Sequence, residues 1–198
     1  MLLICQPAFC QSEAESPVLP ESGAYQLYSA LSKADALAVY DNLPSDTRND
    51  LWKTHLLRAL SETPDLTVEQ QMLILAGIGI MESGILDEEV PPTSGDRADL
   101  LYHFERQAKA EFEPALGREL FANLDPSIRF GALDLAGAPC DIRGLQRLNC
   151  SCSTESDWCD FLTNPDPECI KDNFFCIPRA AGCGLFFQYS CDGICGGG

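Results

Sequence analysis

Eight cysteines fall within the last quarter of the chain, and their side chains are the best candidates for chemistry. They lie between residues 150 and 195, whereas no cysteine occurs between Cys10 and Cys140. Thiols at this density can hold zinc, carry out redox chemistry or form structural disulfides. The eight are Cys150, Cys152, Cys159, Cys169, Cys176, Cys183, Cys191 and Cys195.

The spacing of these cysteines favours disulfides. The gaps between consecutive cysteines contain 1, 6, 9, 6, 6, 7 and 3 residues, whereas zinc knuckles pair cysteines across short, regular gaps. Cys150 and Cys152 are separated by one residue, so they do not form a thioredoxin-like pair. We therefore predict four disulfides, with zinc binding or redox activity as the alternative. The sequence does not choose the pairing, but we expect Cys150 and Cys152 to have different partners.

The sequence carries no recognisable catalytic set. Its two histidines, His55 and His103, both lie on predicted helices with apolar or aromatic neighbours, where a packed or surface histidine is the ordinary interpretation. No nucleophile, histidine and acid suggest a common site. We therefore predict that the protein is not an enzyme and that it uses no cofactor or metal.

The charge of the chain excludes two classes of partner. Thirteen Lys and Arg residues against 30 Asp and Glu give a net charge of −17. Such a surface repels nucleic-acid phosphates and anionic lipid headgroups. Nucleic-acid binding and the cationic mode of membrane disruption are therefore not expected.

The N-terminal residues resemble the end of a signal peptide. The run MLLICQPAFC is apolar and too short to span a bilayer, and the acidic stretch QSEAESPVLPES follows it. We predict that residues 1–10 are a remnant signal peptide cleaved between Cys10 and Gln11, and that 11–21 are a disordered mature N-terminus. The protein would then be secreted, periplasmic or at the cell surface. A lipid anchor at Cys10 and a cytosolic N-terminus are the alternatives.

Residues 22–136, the helical region, are predicted to form a bundle of four to five helices. Apolar residues recur at three- and four-residue steps over 22–42, from Ser45 to the break at Thr63, and over 97–123. Pro114 is expected to kink or divide the last of these helices. The fold class is therefore mainly α, with a small disulfide-rich module after the bundle.

The helix that begins after Thr67 is the most apolar of the predicted helices. Thr67 and Gln70 match a capping box, and the run MLILAGIGIM from 72 to 81 follows. This run is too short for a membrane span, so we expect the central helix of a bundle. Gly77 and Gly79 are expected to permit close packing between helices.

Residues 149–198, the tail, are predicted to be a disulfide-stapled module joined by a linker at 137–148. Strand-forming residues and the turn signal Asp192-Gly193 predict a short hairpin around Cys183 to Cys195. The tail's aromatic residues either pack around the disulfides or form an exposed binding surface. These residues are Phe161, Phe174, Phe175, Phe186, Phe187 and Tyr189.

The opening of the tail resembles a known family. The stretch NCSCSTESDWC, residues 149–159, is similar to the start of the bacteriocin fulvocin C, and the order Cys176-x6-Cys183-Gly184 continues the likeness. The loop from Cys159 to Cys169 is longer here, and the last cysteine pair is more widely spaced. The whole layout resembles bacteriocin fulvocin C-related proteins, which implies an exported antibacterial precursor.

Two hypotheses of function follow. In the first, the helical region is a pro-region, the tail is a bacteriocin-like effector, and the partner is an unknown bacterial target. In the second, an uncleaved secreted or surface protein uses the tail as a recognition module. Cys140 is left over once eight cysteines pair, so it is a candidate free thiol that could link two chains into a dimer.

Overall fold

The computed structural model describes the two parts of the chain that the sequence distinguishes. The described residues are 23–31, 33–40, 42–84, 95–124, 148–150, 152–159, 167–171 and 176–197. Several predictions concern residues outside these ranges. They are the signal peptide with its cleavage between Cys10 and Gln11, the disordered N-terminus at 11–21, the linker up to residue 147 with the thiol of Cys140, and the aromatic residues Phe161, Phe174 and Phe175.

The predicted fold class is confirmed: helices are followed by a disulfide-rich region with a short antiparallel hairpin. The helices are α1 (Gly23–Ser29), α2 (Lys33–Tyr40), α3 (Ser45–Glu62), α4 (Val68–Glu82), α5 (Asp96–Glu111) and α6 (Pro114–Phe121). Among the described residues, no helix combines the length and the apolar character that are needed to cross a membrane.

The helix predicted over 22–42 is divided, and the division expected at Pro114 in the last predicted helix is confirmed. The first becomes α1 and α2, and the second becomes α5 and α6. At the second division Phe112 and Glu113 are extended, and Pro114 is the first residue of α6. The proline ring disfavours a helical conformation in the residue before it, so the chain turns at this point and starts a new helix.

Helix α4 has the predicted cap, but the protein does not surround it. The Thr67 hydroxyl accepts a hydrogen bond from the Gln70 amide, and the Gln70 side chain accepts one from the Thr67 amide. The helix packs against α3 and α5, while Val68 and Met72 are 66% and 65% exposed on its outer face. The expectation of an enclosed central helix is therefore wrong for that face.

The described strands, which begin at Leu148, form three small sheets. The strands are β1 (Leu148–Asn149), β2 (Pro167–Lys171), β3 (Cys176–Ile177), β4 (Arg179–Cys183), β5 (Tyr189–Cys191) and β6 (Gly193–Gly197). β1 pairs with β3 in parallel, whereas β2 pairs with β6 and β4 pairs with β5 in antiparallel fashion.

The hairpin lies in the expected part of the tail, but its turn is elsewhere. β4 and β5 form the hairpin, and the residues that reverse the chain are Gly184–Gln188. Asp192-Gly193 instead carries the chain from β5 to β6, which pairs with β2. Leu185–Phe187, which the sequence predicts as strand, form a 3₁₀ turn.

The eight tail cysteines form four disulfides, as the sequence predicts. The pairs are Cys150–Cys176, Cys152–Cys169, Cys159–Cys195 and Cys183–Cys191. Cys150 and Cys152 have different partners, in agreement with the expectation for two near-adjacent cysteines. Each of these bridges joins one part of the tail to another, so none of them attaches the tail to the helices.

Candidate functional site

The hydrophobic core crosses the boundary between the helical region and the tail. Tail side chains belong to the same buried cluster as the side chains of α1 to α6. They are Trp158, Leu185, Phe186, Phe187 and Tyr189. Each is less than a tenth exposed. Because the tail contributes these five buried side chains to the core of the helices, we treat the contact between the tail and the helices as the candidate site.

The 3₁₀ turn Leu185–Phe187, here called the apolar turn, enters the centre of the bundle. Phe186 has no exposed surface. Its ring centroid lies 5.5 Å from that of Trp52, 5.5 Å from that of Phe104 and 6.0 Å from that of Phe121. Aromatic pairs at these separations attract each other beyond the effect of burial alone. The apolar turn thus contacts three helices, α3, α5 and α6, that are distant from it in sequence.

Phe187 packs beside Phe186 on the α2 and α3 side. Its ring centroid lies 5.1 Å from those of Tyr40 and Trp52, in edge-to-face arrangements. The Trp52 indole N–H donates to the Tyr40 hydroxyl over 2.9 Å. This hydrogen bond fixes the two rings that receive Phe187, because a buried indole N–H requires a partner.

The backbone of the apolar turn is strained. Phe186 and Phe187 have φ values of 50° and 59°, in the left-handed region where an L residue with a large side chain is disfavoured by about 1–2 kcal/mol. Burying a phenylalanine stabilises by about 1.5–3 kcal/mol, so burial of both rings can offset this strain. Backbone strain of this kind is characteristic of functional segments.

Two glycines make room for the apolar turn. Gly184 has φ +66°, and a Cβ atom there would lie 2.6 Å from Ser156 Cβ. On α4, a Cβ at Gly77 would lie 3.1 Å from Leu56 Cδ1 and 3.5 Å from Phe186 Cζ. The predicted close packing is therefore found at Gly77, whereas a Cβ at Gly79 would meet nothing within 4 Å.

Ser156 connects the opening of the tail with both α5 and the apolar turn. Its hydroxyl donates to Glu105 Oε2 over 2.8 Å. It accepts from the Leu185 amide at 2.9 Å and from the Trp158 indole N–H at 3.2 Å. One donor and two acceptor positions are all that a hydroxyl offers. Because Ser156 is only 1% exposed, it serves as a buried polar junction.

Lys109 of α5 extends this junction toward the surface. Its ammonium lies 3.1 Å from Glu105 Oε1 and 5.0 Å from the Trp158 ring centroid. It also donates to the backbone carbonyl of Asp157. The Lys109 side chain therefore neutralises the charge of the Glu105 carboxylate and also contacts both an aromatic ring and a backbone carbonyl of the tail.

Neighbouring residues of the same stretch hold the tail together internally. The Asp157 carboxylate accepts from the Cys159 amide at 2.9 Å and from the Cys169 amide at 2.7 Å. The Thr154 amide and hydroxyl donate to the two Asp192 oxygens over 2.8 and 2.7 Å. The segment 153–158, here called the docking segment, thus faces the helices with some residues and the disulfides with others.

The contact contains titratable groups whose pKa values are shifted. Burial raises the pKa of Glu105, although the Lys109 ammonium and the Ser156 hydroxyl favour its ionised form. Burial, followed by the negative charges of Glu105 and Glu155, raises the pKa of Tyr189 to about 12. Arg97 donates to the Gln188 side chain over 2.6 Å beside this group. Because the Glu105 carboxylate accepts the hydrogen bond of the tail residue Ser156, protonation of Glu105 alters a contact between the tail and the helices.

The arrangement is suited to holding the tail rather than to catalysis. Ser156 is enclosed and its lone pairs accept hydrogen bonds from Leu185 and Trp158, so its oxygen is not available to attack a substrate. His55 is fully buried and donates through Nε2 to the Glu119 carbonyl over 2.9 Å. His103 is exposed on α5 next to Tyr102. The two histidines thus occupy the packed and the surface positions that the sequence suggested for histidine.

The three sulfurs of Cys152, Cys159 and Cys169 lie within 4.8 Å of one another. Among the described residues this is the group with the spacing of a metal site. All three belong to disulfides, and metal ligation by cysteine requires a thiolate. The zinc alternative would therefore require these bridges to be reduced.

An open pocket lies away from the tail, on the surface of α3 and the end of α4. The residues around it are Asp46, Asn49, Asp50, Lys53, Met81, Glu82 and Gly84. Lys53 and Glu82 form an ion pair there. The pocket takes no part in the contact between the tail and the helices.

The disulfides of the tail were predicted from the sequence, whereas the burial of the apolar turn among the helices was not. The burial of Phe186, Phe187 and Tyr189 against helices differs from both of its alternatives, packing around disulfides and exposure for binding. A signal was present, because Leu185, Phe186 and Phe187 form an apolar run and Gly184 precedes it. Comparisons with family models, with curated proteins and with solved structures find no match to the chain.

Proposed function

We propose that the chain is an exported bacteriocin-like precursor related to fulvocin C, in which the helical region holds the tail until it is freed. The observation that carries this proposal is how the tail is attached. All four described disulfides are internal to the tail, while its apolar turn is buried among the helices. A single cut within residues 137–148 would leave only non-covalent contacts between the two parts.

Release would change the surface of the tail. Trp158, Leu185, Phe186, Phe187 and Tyr189 would lose their cover of helical side chains. Exposed apolar patches of this kind mark interaction sites. In the intact chain the same residues are covered, which fits an effector that remains inactive before processing. The four disulfides support the proposal of export, because such bridges persist in oxidising compartments.

One observation favours the second candidate, an uncleaved secreted or surface binding protein. Phe186 has no exposed surface and lies between Trp52, Phe104 and Phe121. Its removal would leave a large cavity in the helical region, and unfilled cavities are costly. An intact protein would avoid this cost and present the outer face of the tail to its partner.

A cleavable chain distinguishes the two candidates. A protease recognition sequence is inserted within residues 137–147, the protein is folded and oxidised, and half of it is cut. The control carries the same insertion with an uncleavable recognition sequence. Size-exclusion chromatography then measures whether the tail leaves the helices, and growth inhibition is measured on a panel of bacteria.

The precursor proposal predicts inhibition from the cut protein and none from the uncut control. A cut protein that still elutes as one particle and inhibits no strain would favour the uncleaved binding protein. Equal inhibition before and after the cut would contradict a pro-region role for the helices.

A further inference from the structure

We infer that the helical region is a folding template that selects the disulfide pairing of the tail. This role does not depend on the proposed antibacterial function, nor on whether the tail is later released. It rests on the seat of the apolar turn, on the composition of the tail's own interior and on the closeness of sulfurs that belong to different bridges.

The tail's own interior contains cysteines almost alone. Two buried clusters lie within its described part. The first contains Cys150, Cys176, Cys183 and Cys191, with Ile194 packed against them. The second contains Cys152, Cys159 and Cys169, with Cys195 beside them. The aromatic side chains that are described in the tail, together with Leu185, are buried in the helical core instead.

This distribution removes the usual basis for selecting a native pairing. Disulfides exchange until the pairing that the rest of the fold stabilises best predominates. Apolar burial provides most of that stabilisation in a folded domain. For this tail, such burial is obtained at the helices, so the preference for one pairing over another depends on docking.

The sulfurs themselves leave room for wrong pairings. Those of Cys152, Cys159 and Cys169 lie within 4.8 Å of one another, although Cys159 is bonded to Cys195 and the other two to each other. A small displacement would bring Cys159 against either neighbour. Proximity within the tail therefore does not by itself exclude these alternatives.

The docking segment and the apolar turn favour the native pairing, because their contacts with the helices fix the positions of nearby cysteines. Ser156 and Trp158 are fixed at α5 and in the shared core, while Asp157 between them binds the amides of Cys159 and Cys169. At the other end of the tail, the apolar turn lies between Cys183 and Cys191 and holds the two strands that this bridge joins. Docking thus sets the positions of cysteines from three of the four bridges.

The chemistry of pairing balances with a disulfide oxidant. Each new bridge takes two protons and two electrons from two thiols, and oxidised glutathione accepts them and becomes two reduced thiols. Correction of a wrong bridge needs no net oxidant. A thiolate attacks one sulfur of the bridge, a new S–S bond forms, and the other sulfur leaves as a thiolate. The helices take no part in these bonds and act on the positions of the sulfurs.

The first test refolds the reduced full chain in a mixture of oxidised and reduced glutathione and maps the bridges by mass spectrometry. Phe186→Asp places a charge on the apolar turn without changing a helix or a cysteine. The matched control is Ile170→Asp, since Ile170 is a tail residue that is 47% exposed. We expect native pairing in the wild type and the control.

In Phe186→Asp the pair Cys152–Cys169 is expected to fall to roughly a third of its wild-type yield, because three pairings within the trio become comparable. The missing share should appear as Cys159 joined to Cys152 or Cys169. Native pairing at wild-type yield in Phe186→Asp would overturn the inference, whether or not the helices of that variant are folded.

The second test needs no variant. Oxidised wild-type protein is held in increasing urea with a trace of reduced glutathione, and its bridges are mapped after acid quenching. The two tryptophans of the chain, Trp52 and Trp158, both lie in the shared core, so their fluorescence reports undocking. Scrambling is expected to begin as the fluorescence changes. Native bridges that persist after the change is complete would overturn the inference.

Discussion

The helical region and the tail obtain their stability by different means, although they share one core. The helices bury tyrosine, tryptophan, leucine and isoleucine side chains along faces of helical period. The described part of the tail buries cysteines in its own clusters and contributes its aromatic residues and Leu185 to the core of the helices. Covalent bonds thus give the tail its internal shape, while apolar burial fixes its place on the bundle. The described disulfides therefore all lie within the tail, whereas the hydrophobic core is shared by both regions.

The largest expected effect comes from removing the ring that joins the two regions. Phe186→Ala should lower the free energy of unfolding by about 3–5 kcal/mol, because it leaves a cavity at the centre of the core. Urea unfolding followed by far-UV circular dichroism measures the loss, since this signal comes mainly from the helices. The control Leu27→Ala changes a side chain that is 76% exposed and should have little effect. A loss below about 0.5 kcal/mol for Phe186→Ala, the size of an ordinary surface change, would indicate that the helices do not need the tail.

Removing one disulfide at a time measures how much each covalent bond contributes to the stability of the protein. The Cys159–Cys195 and Cys183–Cys191 pairs span 36 and 8 residues. By the loop-entropy estimate, replacing both cysteines of a pair with alanine costs about 4 kcal/mol for the first and about 2.5 kcal/mol for the second. Thermal unfolding of the two double variants under identical conditions gives the order. A larger loss for the shorter loop would mean that the apolar turn, and not chain entropy, determines the contribution of its bridge.

Two glycine-to-alanine substitutions compare a crowded position next to the apolar turn with an open position on the surface of α4. Gly184→Ala should lose about 1–3 kcal/mol, because φ is positive there and the new Cβ would meet Ser156. Gly79→Ala should gain up to about 1 kcal/mol, because this helical site is open and alanine favours helix. Chemical denaturation of both variants measures the difference. Equal effects would show that the close approach at Gly184 is not required.

The pH dependence of Glu105→Gln tests the polar junction and is the smallest effect. Burial raises the pKa of Glu105 in the folded protein, so the folded state binds the proton more tightly than the unfolded state. Glu105 therefore contributes most to stability below its unfolded pKa, near 4.3, and this contribution is lost as the pH rises through the higher folded pKa. Glutamine keeps an acceptor for Ser156 and does not titrate in this range.

The measurement is the free energy of unfolding of wild type and Glu105→Gln from pH 4 to pH 8. The wild type should lose stability relative to the variant as the pH rises. Asp192 also has a shifted pKa: burial raises it, but hydrogen bonds from Thr154 and the charge of Lys171 outweigh burial and lower it. Because Asp192 is present in both proteins, its contribution cancels in the comparison. A wild type that gains stability relative to Glu105→Gln over this range would contradict the direction of the Glu105 shift.

The helical period and the cysteine spacing carried most of the information that could be read from the sequence. Apolar repeats located the helices, and Thr67 with Gln70 located the start of α4. The eight cysteines were assigned to disulfides because their gaps do not fit zinc knuckles. These features are local or compositional, so they need no knowledge of which parts of the chain meet.

The features that were missed depend on contacts between distant residues. Phe186 reads as part of a strand, since aromatic residues favour strands. Burial among three helices instead holds it at positive φ. Ser156 and Glu105 are 51 residues apart, and no pattern along the chain relates them. The pairing of the cysteines was open for the same reason, because it is determined by the folded arrangement and not by spacing.

Amide hydrogen exchange tests most directly the claim that the apolar turn belongs to the helical core. The amides of Leu185, Phe187 and Gln188 donate to Ser156 Oγ, the Gly184 carbonyl and the Leu185 carbonyl. If the two regions open as one unit, these amides should exchange with the same free energy of opening as the central amides of α3. Exchange of residues 185–188 at the rate of an open loop, with α3 still protected, would contradict the shared core.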